Sequence, residues 1–200
     1  MWILRPTFTV NERNNMSEQV SRAGGKLEGF AREAKIEFRG MTVLDIGSST
    51  GGWTEYALNR GAVRVIAVEK GTRQMRARIA ADPRVELHEK TDIFEFEDRS
   101  SDIVMADVSF LSLTKVLAYA KKRLAKRGAK FVVMCKPQFE ARPEQLVEGI
   151  VKNEKMRREI IQGFEAWLKA NGFVVLAKRD STVRGKYGNL ERLYYLALEN

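Results

Sequence analysis

The chain carries one cysteine, one histidine and four prolines in 200 residues. A lone cysteine, Cys135, excludes an internal disulfide framework and fits a reducing compartment. It adjoins Lys136 at the end of an apolar stretch and reads as core packing. The lone histidine, His88, has no second histidine or cysteine with which to build a metal centre, so no metal is expected. Ser109 and Ser112 lack the histidine partner of a hydrolase triad, and no Gly-x-Ser-x-Gly elbow occurs. No apolar run approaches the roughly 20 residues needed to cross a bilayer. The N-terminus has no apolar core followed by a small-residue cleavage site. Internal repeats and low-complexity tracts are also missing. The expectation is a soluble, cytoplasmic protein of one domain, long enough to bury a core unaided.

Positive charge is what the chain has in excess. A formal charge of +9 favours a polyanionic partner, nucleic acid ahead of an anionic membrane surface. Basic residues recur in groups: Arg73, Arg76 and Arg78; Lys121, Lys122, Arg123, Lys126 and Arg127; Lys155, Arg157 and Arg158; Arg184 with Lys186. Most suit solvated helix faces.

Residues 1–19 have no clear period and read as an extended or disordered lead-in, and Met16 stands as an alternative start. A helix is expected from Ser21, with Leu27, Phe30 and Ala34 on one face. Strands follow at 43–46, 63–68, 85–88, 103–106 and 131–134, with helices at 53–59, 73–80 and 113–127 between them. Gly61 and Gly128 close two of those helices. A long polar loop, a helix over 153–170 and two last strands at 173–177 and 193–198 complete the chain. The alternation predicts an α/β, doubly wound, mostly parallel sheet with an antiparallel pair on one edge.

Asp45-Ile-Gly47-Ser48-Ser49-Thr50-Gly51-Gly52-Trp53 joins the first strand to its helix. Such a strand, glycine loop and helix is the layout of a nucleotide-type cofactor site. A dinucleotide loop would read Gly-x-Gly-x-x-Gly with an acid some 20 residues later. Here an acid precedes the first glycine and the spacing is Gly-x-x-x-Gly-Gly. This resembles the first motif of S-adenosylmethionine-dependent methyltransferases, whose donor offers an ammonium that an acid can answer, whereas an acid would repel a pyrophosphate. Glu69, beside Lys70 at the second strand's end, is positioned for ribose hydroxyls, and Asp92 for the adenine amino group. Asp45, Glu69, Asp92, Asp107 and Lys136 all fall at predicted strand ends, where open α/β sheets bind ligands.

Five phrases carry a closer resemblance: Ser-Arg-Ala-Gly-Gly-Lys-Leu-Glu, Leu-Asp-Ile-Gly-Ser-Ser-Thr-Gly-Gly-Trp-Thr, Ala-Asp-Val-Ser-Phe-Leu-Ser-Leu, Cys-Lys-Pro-Gln-Phe-Glu and Gly-Asn-Leu-Glu-Arg. In order and over residues 20–198 they resemble the FtsJ-type ribose 2′-O-methyltransferases, most of all the TlyA branch, some of whose members are labelled hemolysins. The resemblance implies a Rossmann-like domain over residues 20–200 that modifies RNA, ribosomal RNA above all, with S-adenosyl-L-methionine. It also implies a catalytic tetrad of Lys26, Asp107, Lys136 and Glu191. A sulfonium methyl is already activated, so transfer to an alcohol needs alignment and removal of one proton. Lys136 is the favoured base, Lys26 its like-charged neighbour that also holds the hydroxyl, and the two acids orient the lysines. Arg22, Arg184 and Lys186 adjoin tetrad members and are expected to meet RNA phosphates.

TlyA proteins usually begin with an RNA-binding module of ribosomal-protein type. About twenty residues precede the match here, too few for one, so RNA affinity would rest on the basic domain or on a partner. The rival expectation is a non-catalytic RNA- or ribosome-binding protein that keeps the fold, against which an intact tetrad argues. A membrane-lysing role rests on the family label alone.

Overall fold

The computed structural model describes residues 22–185 and 188–199, and of Arg22 and Ala23 the backbone only. The predicted lead-in and Lys186 lie outside this description.

Helix α1 (Arg22–Glu33) buries Leu27, Phe30 and Ala31 on one face. It precedes β1 (Thr42–Ile46), α2 (Gly52–Asn59), β2 (Arg64–Val68), α3 (Ala77–Ala80) and β3 (Val85–His88). Next come β4 (Ser101–Ala106), α4 (Leu113–Arg123), β5 (Ala125–Cys135) and α5 (Pro137–Glu140). A small hairpin, β6 (Leu146–Val147) with β7 (Ile150–Val151), lies in the long polar loop. Helix α6 (Glu154–Ala170), β8 (Phe173–Asp180) and β9 (Arg192–Leu198) close the fold. Asn153 caps α6, its side chain accepting from the Met156 amide at 2.9 Å.

The seven-stranded sheet has the order β3-β2-β1-β4-β5-β9-β8. Five strands run parallel, and the expected antiparallel hairpin forms one edge, with β9 set against β5 and β8 on its outer side. The chain winds outward from β1 in one direction and from β4 in the other. The crevice beyond the carboxyl ends of those two neighbours is the switch point where such sheets bind ligands.

Two expected helices are shorter than their patterns suggest. Over residues 73–80 only α3 is helical, because Arg73 adopts φ 54° and the Arg76 amide bonds Thr50 O instead of continuing a helix. Helix α4 stops at Arg123, and the basic stretch after it enters β5, with Lys126 paired to Asp102. Gly128 therefore sits at φ 81° within a strand beside a register shift, not at a helix end.

The pleat decides what reaches the site. In β4, Ile103 and Met105 face the layer of α1, α2 and α3, while Val104 and Ala106 face α4 and α6. Val132 and Met134 of β5 and Leu193 of β9 share the first of these faces. Alternation carries the same parity to Asp107, Lys136 and Glu191, just past the strand ends on the side that α1 covers. The β5–β9 register, which pairs Cys135 with Arg192, extends by one residue to set Lys136 opposite Glu191.

Candidate functional site

The loop after β1 is folded so tightly that its glycines are required. Gly47 has φ 77°, and a Cβ there would sit 3.1 Å from the Asp107 carbonyl oxygen. Gly51 has φ 85°, and a Cβ there would press on Met75 and Ile79 at 3.0–3.1 Å. Between them Ser48 is 5% exposed, its hydroxyl without a hydrogen-bond partner among the described residues. Gly52, Trp53 and Thr54 open α2 and are buried.

This loop walls a cleft of about 570 Å³, lined also by Glu69, Lys70, Asp92, Asp107 and Phe110. A smaller cavity of about 150 Å³ runs from the loop to Asp107, Ser109 and Lys136. Of the residues expected to hold a cofactor, Gly47, Ser49, Glu69, Lys70, Asp92 and Asp107 line the larger space. Ser48, Thr50, Gly52 and Trp53 line the smaller one. Asp45 and Gly51 line neither. Gly51 is wedged on α3, and Asp45 is fully buried beneath the loop.

The setting of Asp45 is unusual for an acid. Thr54 Oγ1 donates to its Oδ2 at 2.6 Å, while Oδ1 has no hydrogen-bond partner among the described residues. Burial pushes its pKa up from 3.8 to about 7; the Thr54 bond opposes that rise, and the charges of Asp107 and Glu69 add to it. Neither cavity reaches this carboxyl, the one expected to answer a donor ammonium.

Glu69 is already engaged. Its carboxylate accepts from the Ser49 amide at 2.9 Å and the Gly71 amide at 2.7 Å. Gln74 Nε2 donates to it as well, at 3.5 Å, so of the carboxylate's roughly four acceptor positions about one stays open toward the cleft. Gln74, which carries no signal in the sequence, lines the cleft and accepts from Ser49 Oγ at 3.1 Å. Asp92 receives the Lys70 ammonium at 2.9 Å and the Phe94 amide at 3.1 Å. Lys70, first of these, and then the amide hold its carboxyl below the ordinary value. The cleft thus fits a donor of the expected kind: acceptors at the β2 end, close backbone at the glycines, and an unpaired buried hydroxyl and carboxyl oxygen below.

The tetrad forms two pairs. Lys26 Nζ lies 2.5 Å from Glu191 Oε2, with side chains 10% and 6% exposed. Lys136 Nζ lies 2.9 Å from Asp107 Oδ1, with side chains 12% and 16% exposed. That second pair is an ion contact off the hydrogen-bond direction, and Lys136 donates to Ser109 Oγ at 2.9 Å. From sequence, Ser109 reads only as a hydrolase nucleophile without its partner. Its position two residues beyond Asp107, on the same pleat parity, is the signal that points to the site. Glu191 is held from behind as well, since a Cβ on Gly185 would lie 2.6 Å from its Oε1.

Neighbouring groups complete the frame. Glu140 of the Cys-Lys-Pro-Gln-Phe-Glu phrase accepts from Ser112 Oγ at 2.7 Å and the Leu113 amide at 2.5 Å, tying α5 to the start of α4. Burial nevertheless raises its pKa. Phe110, with φ 63° and 84% exposed, stands at the cleft wall with its ring 5.3 Å from that of Phe139. Arg184 is exposed and bonds Gly188 O at 2.8 Å near Glu191. His88 ends β3 against Glu86 at 2.7 Å and the Phe96 ring, a structural place. Among the described residues no cluster suits a metal ion, and no helix is long and apolar enough to cross a membrane.

Known proteins resemble this chain over most of its length. The chain is 32% identical over 179 residues to the Campylobacter jejuni 23S rRNA (cytidine-2′-O)-methyltransferase TlyA, covering 88% of this chain and 70% of that protein. It is 34% identical over 193 residues to the Mycobacterium tuberculosis 16S/23S rRNA (cytidine-2′-O)-methyltransferase TlyA, covering 94% and 70%. A solved structure named as a hemolysin, from Streptococcus thermophilus, superposes with a TM-score of 0.86 at 32% identity, covering 94% and 70%. The FtsJ-like methyltransferase pattern itself matches residues 19–199, which takes in both the glycine loop and all four paired charges, and the chain belongs to that family.

Proposed function

We propose that the chain transfers a methyl group from S-adenosylmethionine to a ribose 2′-hydroxyl of ribosomal RNA. The observation that carries this is the pairing of Lys26 with Glu191 and of Lys136 with Asp107 at the carboxyl end of the sheet, with Lys136 and Asp107 lining the cavity beside the glycine loop. When bound, S-adenosylmethionine supplies a methyl already activated by its sulfonium.

The chain's own part is to hold the acceptor oxygen and remove its proton. Lys136, reached from the cleft through Ser109 and Asp107, receives that proton at Nζ. Lys26, anchored on Glu191, donates to the same oxygen and keeps it in line. Asp107 and Glu191 fix the two lysine side chains, Lys136 taking the proton in its neutral amine form and Lys26 acting as the ammonium, and side chains only about a tenth exposed exclude competing water. Glu69 and Gln74 hold the loop at the donor end. Phe110 offers an exposed ring on which a nucleobase can stack, and Arg184 and Lys186 offer charge to the phosphates beside it.

The test is incubation with labelled donor and ribosomal subunits or free ribosomal RNA, followed by mapping of the modified nucleotides. Incorporation at a 2′-hydroxyl that disappears in Lys136→Ala is the expected result. Incorporation that survives this change overturns the assigned base. RNA binding without incorporation on any substrate, with donor binding intact, favours a non-catalytic ribosome-binding role instead.

A further inference from the structure

A second cleft, of about 500 Å³, lies at the opposite end of the sheet from the donor cleft. Its walls are the exit of α1 and the turn after α2, the segments that lead into the amino ends of β1 and β2. Five residues of β1 separate the two clefts by about 15 Å. Arg32, Lys35, Arg39 and Arg60 all line it, and all four are exposed. None has a carboxylate at ion-pair distance among the described residues. Glu33, the nearest acid on α1, is taken by Arg179, which leaves Glu37 as the one acid on the rim.

The backbone forces these cations together. Arg39-Gly40 and Arg60-Gly61 are two turns with glycine at φ 75° and 90°, and the Gly40 amide bonds Gly61 O at 2.9 Å. A Cβ on Gly61 would sit 3.3 Å from the Arg39 Cα, so the turns pack backbone to backbone. Arg60 lies over the ring of Tyr56, 5.3 Å from its centroid, and Tyr56 is 8% exposed. Elsewhere on this basic chain many cations pair with acids, as Arg64, Arg84, Arg157 and Arg192 do. Four like charges around one concavity that holds a single acid, Glu37, repel one another unless an anion joins them. Cations at helix carboxyl ends also answer helix dipoles, which is the competing account of Arg32 and Arg60.

We propose that this cleft docks the phosphodiester backbone of RNA, as a second anchor remote from the reacting ribose. The RNA assignment rests on the function proposed above; the anion site rests on the four cations. The two clefts, at opposite ends of the sheet, suit a folded RNA that meets the domain on both sides, and a short strand filling the donor side would not reach the anchor.

The test is binding of a labelled, structured transcript of 23S ribosomal RNA across a potassium chloride series. Each phosphate that is no longer neutralised takes about 0.7–0.9 off the slope of log affinity against log salt. The double variant Arg39→Ala, Arg60→Ala is expected to flatten the slope by about 1.5, while donor affinity stays unchanged. Arg39→Lys with Arg60→Lys, which keeps the charge, retains the wild-type slope. An unchanged slope in the alanine variant overturns the proposal. So does a fall in melting temperature with no change of slope, which is the signature of dipole compensation alone. Should the alanine variant fail to fold, Arg39→Gln with Arg60→Gln keeps the side-chain stems and gives the same readout. Methyl incorporation by the wild type is scored separately, so its absence refutes the activity and leaves the slope to judge the anchor.

Discussion

Replacing Asp45 by asparagine probes the floor of the donor site. The carboxyl is fully buried, and its pKa is pushed from 3.8 to about 7, first by burial and then by the charges of Asp107 and Glu69 against the Thr54 bond. A folded-state pKa above the unfolded value means that the folded protein holds the proton more tightly. The resulting stabilisation is complete below pH 4 and is lost as pH rises through 7, the reverse of an ion-paired acid. The difference corresponds to roughly 4 kcal/mol across that interval. Chemical denaturation of wild type and Asp45→Asn at a series of pH values isolates it, because every other titrating group is shared. The two stability curves should diverge from pH 4 to 7 in favour of asparagine and run parallel above pH 8. Asparagine leaves an amide hydrogen in need of a partner, a cost that shifts the level and not the pH dependence. As pH passes through about 7, donor affinity should rise in wild type, as a negative charge develops beneath the ammonium, and stay flat in the variant. Parallel stability curves throughout would refute a buried proton on Asp45.

Further outcomes follow from the site. Glu191→Gln leaves the Lys26 ammonium about nine-tenths buried without its counter-charge, and unfolding stability should fall by about 3–5 kcal/mol in denaturant titration. Gly185→Ala drives a methyl group toward Glu191 Oε1; methyl transfer should drop at least tenfold in kcat while calorimetric donor affinity holds. Phe110→Ala removes a ring that is 84% exposed, so stability should change by no more than about 0.5 kcal/mol. The KM for RNA should rise by about 5- to 150-fold, in keeping with about 1–3 kcal/mol for a stacked base.

The parallel sheet was legible because its strands are short apolar runs separated by amphipathic stretches, a pattern with one good solution. The tetrad was legible only through its motif phrases. Pleat parity could have aligned Asp107 with Met105 and Lys136 with Met134, yet nothing in the sequence announces that β9 lies against β5 and so sets Glu191 opposite Lys136. Helix 113–127 was over-extended because Lys121–Arg127 favours helix by propensity, while pairing of Ala125 with Ser101 and of Lys126 with Asp102 holds the stretch as strand. Gln74 was invisible for a different reason. Its contact with Ser49 spans 25 residues and depends on a left-handed turn at Arg73 that arginine seldom adopts.

The Lys26–Glu191 pair closes a span of 165 residues. During synthesis, every residue lining the donor cleft has emerged by Leu111, and Lys136 follows soon after. The last strand to be made then has to slide between two that already exist. A chain released after β8 has a complete place for the donor but an open edge on β5, a lone ammonium at Lys26 and no Glu191. Under the proposed mechanism an interrupted product lacks the anchor of Lys26 and transfers no methyl group, so the order of manufacture itself delays catalysis until the final hairpin is in place.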